Sequence, residues 1–116
     1  MNRKIISLSL FIIVLAGACA KSNSGDTTFT LDCSTVAKFS TEVAPIISST
    51  CATKTGCHAS GSIEGPGPLT NYTQIFTSRA SIRDAIVRGI MPKEGTLSNA
   101  QKNAIVCWID SGAPND

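Results

Sequence analysis

The sequence predicts an all-α domain of three to four short helices joined by long loops. Val43, Ile46 and Ile47 are spaced i, i+3, i+4, as on one face of a helix. Ser98, followed three residues later by Gln101, forms the capping-box pattern that opens a helix. No stretch alternates apolar and polar residues for long enough to predict a strand.

The first predicted helix begins near Ser40 or Thr41, with Ser40 as its N-cap, and ends near Ser49. Proline lacks the amide N–H that an interior helical position needs, so Pro45 is tolerated only within the first turn. This helix leads directly into Cys51.

Two further short helices are expected in the middle of the chain. The earlier one is capped near Thr70 or Asn71. The later one runs from about Ser81 to Arg88 and ends at Gly89, because glycine readily takes the left-handed conformation that follows a helix. The apolar residues that define the two stripes are Leu69, Tyr72, Phe76, Ile82, Ile86 and Val87.

The last helix has the strongest signals at both ends. It opens after Ser98 and ends at Gly112, and Pro114 prevents it from resuming. Trp108 is expected in the hydrophobic core, without a chemical role. The apolar stripe of this helix is Ala104, Ile105, Trp108 and Ile109.

The first 18 residues have the features of an export signal. Asn2-Arg3-Lys4 is a positive start, and the apolar run from Ile5 to Ala18 is shorter than the roughly 20 residues that a membrane span needs. Leu15-Ala16-Gly17-Ala18 followed by Cys19 resembles a bacterial lipobox, which implies lipidation of Cys19. An ordinary signal peptide, cut near Ala18 or Ala20, is the alternative.

Three segments follow from this organisation: a signal peptide over 1–18, a lipid-anchored tether and N-terminal extension over 19–38, and a folded domain over 39–116. Loss of the leader removes Arg3 and Lys4, which leaves eight basic residues against eight acidic ones. A formally neutral mature chain gives no indication of nucleic-acid binding. We expect an exported protein, held by its lipid at the membrane in the periplasm or at the outer membrane.

The stretch from Cys51 to His58 carries the strongest chemical signal. Two thiols followed directly by an imidazole form the arrangement that attaches a haem covalently, with the histidine ligating the iron. Here five residues separate Cys51 from Cys57, whereas the usual spacing is two. His58 is the only histidine, and the soft candidate for the opposite axial position is Met91, because the only other methionine is Met1.

The remaining cysteines leave two interpretations open. If Cys51 and Cys57 hold haem, Cys33 and Cys107 are left to form a disulfide in an oxidising compartment. Such a bond would close a loop of more than seventy residues and stabilise the fold by up to about 4 kcal/mol. The alternative is a haem-free chain with two disulfides, for which four cysteines allow three pairings.

Four motifs occur in an order that resembles a small monohaem cytochrome c domain of exported bacterial lipoproteins. The resemblance covers about Phe39 to Pro114. The motifs are Val43-Ala44-Pro45-Ile46-Ile47 leading into Cys51, Cys57 and His58; Gly65-Pro66-Gly67-Pro68-Leu69; Gly89-Ile90-Met91-Pro92; and Leu97-Ser98 opening a helix that carries Trp108-Ile109 and closes with Ser111-Gly112-Ala113-Pro114.

The resemblance implies a cytochrome c-like fold wrapped around one covalent haem c. It implies that Cys51 and Cys57 attach the haem and that His58 and Met91 ligate the iron. The backbone of Pro68 would accept a hydrogen bond from the ring of His58. The side chains expected to pack against the haem are Ile46, Leu69, Phe76, Ile86, Ile90 and Trp108.

The function that follows is electron transfer rather than catalysis, because both axial positions would be filled by the protein. The partner would be another redox protein, whose identity the sequence does not indicate. The first alternative is a haem-free, disulfide-stabilised structural or interaction lipoprotein. The second keeps the haem as a sensor or catalytic site with an open sixth position.

Overall fold

A computed structural model describes residues 29–116. It contains a π-helical turn, Phe39–Val43, that continues into α1, Ala44–Thr50, followed by α2, Tyr72–Val87, and α3, Asn99–Asp110. Residues 29–116 contain no strand. The expectation of a helical domain with long loops is therefore confirmed for the described part of the chain.

The first helix begins one residue earlier than predicted, and Ser40 is not its N-cap. Lys38 occupies the capping position without a side-chain hydrogen bond. Two N–H groups of the first turn, those of Phe39 and Ser40, are satisfied from elsewhere, which removes the need for a serine cap. The Asp116 carboxylate accepts from Phe39 N at 2.9 Å, and the Asp116 carbonyl accepts from Ser40 N at 2.8 Å. The Glu42 carboxylate accepts from Lys38 N at 2.9 Å.

The π-helical turn immediately precedes Pro45, which stands in the second turn of the combined helix. Proline cannot donate the hydrogen bond that an α-helix requires at that place. The N–H of Val43 reaches back five residues to the Lys38 carbonyl, and the N–H of Ala44 likewise reaches that of Phe39. The predicted apolar face packs inward, with Val43 and Ile47 buried.

The two short middle helices are in fact one helix, α2, so the predicted break between them is wrong. The linking residues 77–80 contain neither glycine nor proline, and nothing interrupts the backbone ladder. The predicted start is confirmed, because the Asn71 side chain accepts a hydrogen bond from Gln74 N at 3.0 Å. The predicted end is also confirmed, with Gly89 at a φ of 66° after the last turn.

The capping box at the start of α3 is confirmed in both halves. The Ser98 hydroxyl accepts from Gln101 N at 3.1 Å, and the Gln101 side chain accepts from Ser98 N at 2.9 Å. Trp108 is fully buried, and its indole N–H donates to the Pro114 carbonyl at 2.8 Å. The predicted core position of Trp108 is therefore correct.

An aromatic cluster joins the first helical turn to the two longer helices. The ring of Phe39 lies 5.0 Å from that of Tyr72 and 5.4 Å from that of Trp108. The Tyr72 hydroxyl donates to the Ala113 carbonyl at 2.8 Å, which fixes the chain after α3. The core thus lies between the π-helical turn, α2 and α3, at the side of the domain where the chain ends.

The segment before the first helix is attached to α3. Cys33 and Cys107 form a disulfide with a Cα–Cα distance of 5.3 Å, as predicted. Asp32 N also donates to the Asn103 side chain at 3.2 Å. The predicted signal peptide over 1–18 and the lipidation site at Cys19 lie outside the described residues. Within residues 29–116, no helix has the length and apolar character required to cross a membrane.

Loss of the α3 cap tests the helical signal read from the sequence. Ser98→Ala should lower the free energy of unfolding by about 1 kcal/mol, because it leaves Gln101 N without its acceptor. Chemical denaturation followed by circular dichroism measures the change. Thr77→Ala, at an exposed position within α2, is the control and should not lower stability, because alanine favours helix. Equal stability of the two variants would contradict the role of the cap.

Loss of the disulfide should cost about 2–4 kcal/mol, because the bond closes a loop with a sequence separation of 74. Cys33→Ser removes it at an exposed position, so the substitution itself buries no polar group. The double variant Cys33→Ser/Cys107→Ala should lose little more, since both changes remove the same bond. Unaltered stability of Cys33→Ser would show that the bond does not support the fold.

Candidate functional site

Four of the predicted site residues line one cavity of about 470 Å³. This volume falls within the range of ordinary small-molecule and cofactor sites, about 300–1,000 Å³. The cavity lies between the chain that follows α1 and the loop between α2 and α3. The four residues are Cys51, Cys57, His58 and Met91.

Cys51 stands at the C-terminal end of α1, where its N–H donates to the Ile47 carbonyl at 2.8 Å. Its sulfur is partly buried and lies 3.6 Å from the Thr50 hydroxyl. Burial raises the pKa of the Cys51 thiol, the Thr50 hydrogen bond lowers it, and the neighbouring Cys57 raises it further. The balance favours a protonated, uncharged thiol at this wall of the cavity.

The five-residue spacer after Cys51 folds into a closed turn. The Lys54 carbonyl accepts from Cys57 N at 2.9 Å and from Ala59 N at 3.1 Å. The Cys51 carbonyl accepts from His58 N at 3.0 Å. This turn brings both cysteines to the same cavity despite the wide spacing, and neither forms a disulfide.

The only histidine is buried, with one ring nitrogen committed to the backbone. His58 Nδ1 lies 2.9 Å from the Gly67 carbonyl oxygen, which can only accept, so Nδ1 carries the proton. In the neutral imidazole Nε2 then keeps its lone pair, and it has no hydrogen-bond partner among the described residues. The predicted acceptor at Pro68 is wrong by one residue, because the turn directs the carbonyl of Gly67 at the ring.

The glycine-proline loop encloses the histidine. Gly67 has a φ of 83°, which glycine adopts without a steric cost, and this conformation accompanies the approach of its carbonyl to the ring. A Cβ at Gly65 would lie 3.7 Å from His58 Cε1, so the backbone passes close beside the ring. The His58 carbonyl accepts from Leu69 N at 2.8 Å. Ser62, also buried, donates to the Cys57 carbonyl.

Met91 follows the end of α2 and is held there by its backbone. The N–H groups of Ile90 and Met91 both donate to the Ala85 carbonyl, at 2.9 and 3.2 Å. Met91 and His58 also line a second, smaller cavity of about 190 Å³. The other residues around it are mostly apolar: Pro66, Leu69, Ser81, Ile82, Ala85 and Ile86.

The side chains expected to surround the cofactor divide into two groups. Leu69 and Ile86 line the smaller cavity. Ile46, Phe76, Ile90 and Trp108 line neither cavity, and Ile90 is 44% exposed. The position of Trp108 in the aromatic cluster explains its absence from the site.

The sequence interpretation missed the charged contact at the edge of the larger cavity. Lys54 Nζ lies 2.7 Å from both carboxylate oxygens of Glu94. Hydrogen bonding and charge attraction from Glu94 raise the pKa of Lys54. The opposite charges of the two residues were visible in the sequence, but no spacing rule relates two loops forty residues apart.

The donor set of the cavity differs from that of a common metal-ion site. Within residues 29–116, no group of three or more histidine, cysteine, aspartate and glutamate side chains is arranged to hold a metal ion. The cavity offers one imidazole nitrogen, one thioether and two thiols, and Glu64 and Glu94 also line it.

Comparison with protein-family models, curated proteins and solved structures found no match to this chain.

Proposed function

We propose that this protein is an exported monohaem cytochrome c that transfers single electrons and is not an enzyme. The observation that carries the proposal is the convergence of Cys51, Cys57, His58 and Met91 on one cavity. A haem bound there would supply an iron that alternates between the ferrous and ferric states. The residues of the cavity fit that group in number and in chemical type.

The two cysteines would attach the haem. Both are unpaired in the structure, so both thiols are available. Each would form a carbon–sulfur bond to one vinyl carbon, and the thiol hydrogen would go to the adjacent vinyl carbon, so no oxidant is required. The closed turn of the spacer keeps the two sulfurs on one cavity, which offsets the wide spacing between them.

His58 is prepared to act as the proximal ligand. Its Nδ1–H donates to the Gly67 carbonyl, which leaves the Nε2 lone pair for iron. A hydrogen bond on the far side of a ligating imidazole fixes the ring and increases its basicity. Burial of His58 among the loop residues limits rotation of the ring further.

Met91 would be the distal ligand. A thioether paired with histidine stabilises ferrous iron and raises the reduction potential. With both axial positions filled by side chains, no coordination position is left for a substrate, which favours electron transfer over catalysis. The partner would then be another redox protein that approaches the cavity.

The proposal includes a cytochrome c-like fold and a membrane anchor. Contacts between the π-helical turn and α3 join the two ends of the domain and support that fold. The apolar leader and the lipobox-like residues support export and lipidation at Cys19. An anchored domain would operate at the membrane surface in the periplasm or at the outer membrane.

Covalent attachment is tested by intact mass after expression with a cytochrome c maturation system and acid-acetone extraction. We expect the mass of one haem on the unaltered protein. Cys51→Ser/Cys57→Ser should retain none, because both bonds are lost. Cys33→Ser is the matched control: it removes a cysteine outside the cavity and should retain the haem. Retention of haem by the double variant would contradict the assignment. So would the absence of haem from the unaltered protein and from both variants.

The distal ligand is tested with Met91→Ala. The haem should stay attached while the reduction potential falls by on the order of 100 mV, within the ~0.8 V range that axial ligands span. Carbon monoxide should also bind the ferrous variant faster, since the sixth position is open. Potentiometric titration and stopped-flow absorbance measure the two effects. An unchanged potential would remove Met91 from the site, and rapid carbon monoxide binding by the unaltered protein would favour a sensor.

A further inference from the structure

The ion pair between Lys54 and Glu94 connects two segments that the proposed function uses separately. Lys54 is the third of the five residues between Cys51 and Cys57. Glu94 lies three residues after Met91. The lysine nitrogen contacts both carboxylate oxygens at 2.7 Å. This contact therefore joins the haem-attachment turn, residues 51–58, to the distal loop, residues 91–97.

Lys54 contacts each segment with a different part of the residue. Its carbonyl accepts the N–H groups of Cys57 and Ala59, which fixes the turn that delivers His58. Its side chain extends in the other direction, to Glu94. In the usual motif only two residues separate the cysteines. Such a motif would have no residue in the position that Lys54 occupies here.

The distal loop has little else to hold it. Across 92–97, within the described part of the chain, the hydrogen bonds from Lys54 to Glu94 are the only ones that the loop makes. The loop is anchored at its two ends instead, by the bond from Met91 N to the Ala85 carbonyl and by the burial of Leu97. The ion pair between Lys54 and Glu94, which we call the tether, is therefore the polar contact that holds the loop between those two anchors.

We propose that Lys54 and Glu94 are positioning residues that hold the Met91 loop against the cavity, and that the widened cysteine spacing supplies the arm of this tether. The inference rests on the proposed function, in which Met91 on this loop is the distal ligand. Weakening the pair would free the loop, so Met91 would hold a bound iron less firmly and a competing ligand would bind faster.

The size of the effect follows from the exposure of the pair. The side chains are 53% and 69% exposed, and exposed ion pairs contribute little and are screened by salt. We therefore expect changes of about two- to fivefold rather than loss of the site. The difference between the unaltered protein and the variants should shrink as ionic strength rises.

The test uses the ferric, haem-loaded protein with imidazole as the competing ligand. Lys54→Met and Glu94→Gln should each raise the rate of imidazole binding about two- to fivefold. The two substitutions change the local charge in opposite directions. Faster imidazole binding in both variants would therefore indicate loss of the tether and not a direct effect of charge on iron. The charge-swapped double variant, Lys54→Glu/Glu94→Lys, should restore a rate close to that of the unaltered protein.

Asp84→Asn provides the matched control. It neutralises the carboxylate of another exposed ion pair, between Asp84 on α2 and Arg88 at the C-cap of that helix, and neither residue borders a cavity. The imidazole rate of this variant should remain unchanged. Acceleration in Asp84→Asn equal to that in Glu94→Gln, or a failure of the charge swap to restore the rate, would overturn the tether.

Backbone amide order parameters, measured by NMR in the haem-free protein, give a second readout. The order parameters of residues 93–96 should be lower in Lys54→Met and Glu94→Gln than in Asp84→Asn, because these exposed amides make no hydrogen bonds of their own. Absence of haem from the unaltered protein would overturn the proposed function and the ligand role of the loop with it. Normal haem content with unchanged order parameters and unchanged imidazole rates would overturn the tether alone.

Discussion

The hydrogen bond between His58 Nδ1 and the Gly67 carbonyl is the interaction on which the site depends. It determines that Nδ1 carries a proton, and under the proposed function Nε2 would be the atom that ligates iron. It also ties the attachment turn to the glycine-proline loop, which the bond from Leu69 N to the His58 carbonyl reinforces. The remaining groups, two thiols and one thioether, line the same cavity, and under the proposed function they would act together with that ring.

The fold supports this interaction with a small core. The aromatic cluster of Phe39, Tyr72 and Trp108 joins the helices, while the disulfide between Cys33 and Cys107 joins the segment before them to α3. The cluster belongs to the hydrophobic core, and Trp108 borders neither cavity. Small domains with thin cores commonly depend on a disulfide or a bound group for stability, so a haem would contribute to folding as well as to function.

Local signals in the sequence predicted those parts of the structure that local chemistry decides. The capping box at Ser98 and the cap at Asn71 depend on residues within one turn of each other, so both could be predicted. The start of the first helix could not, because its N–H groups are satisfied by Asp116, far along the chain. The acceptor at Gly67 and the pair between Lys54 and Glu94 likewise depend on how loops meet in space.

Covalent haem attachment by two cysteines with five residues between them is tested by a pyridine haemochrome spectrum of the extracted protein. The position of the main absorption band depends on how many vinyl groups have become thioethers. A band at the position of two thioethers, retained after acid-acetone extraction, is the predicted result. A folded, colourless protein would contradict haem attachment and favour a haem-free lipoprotein, whereas a band at the single-thioether position would restrict attachment to one cysteine.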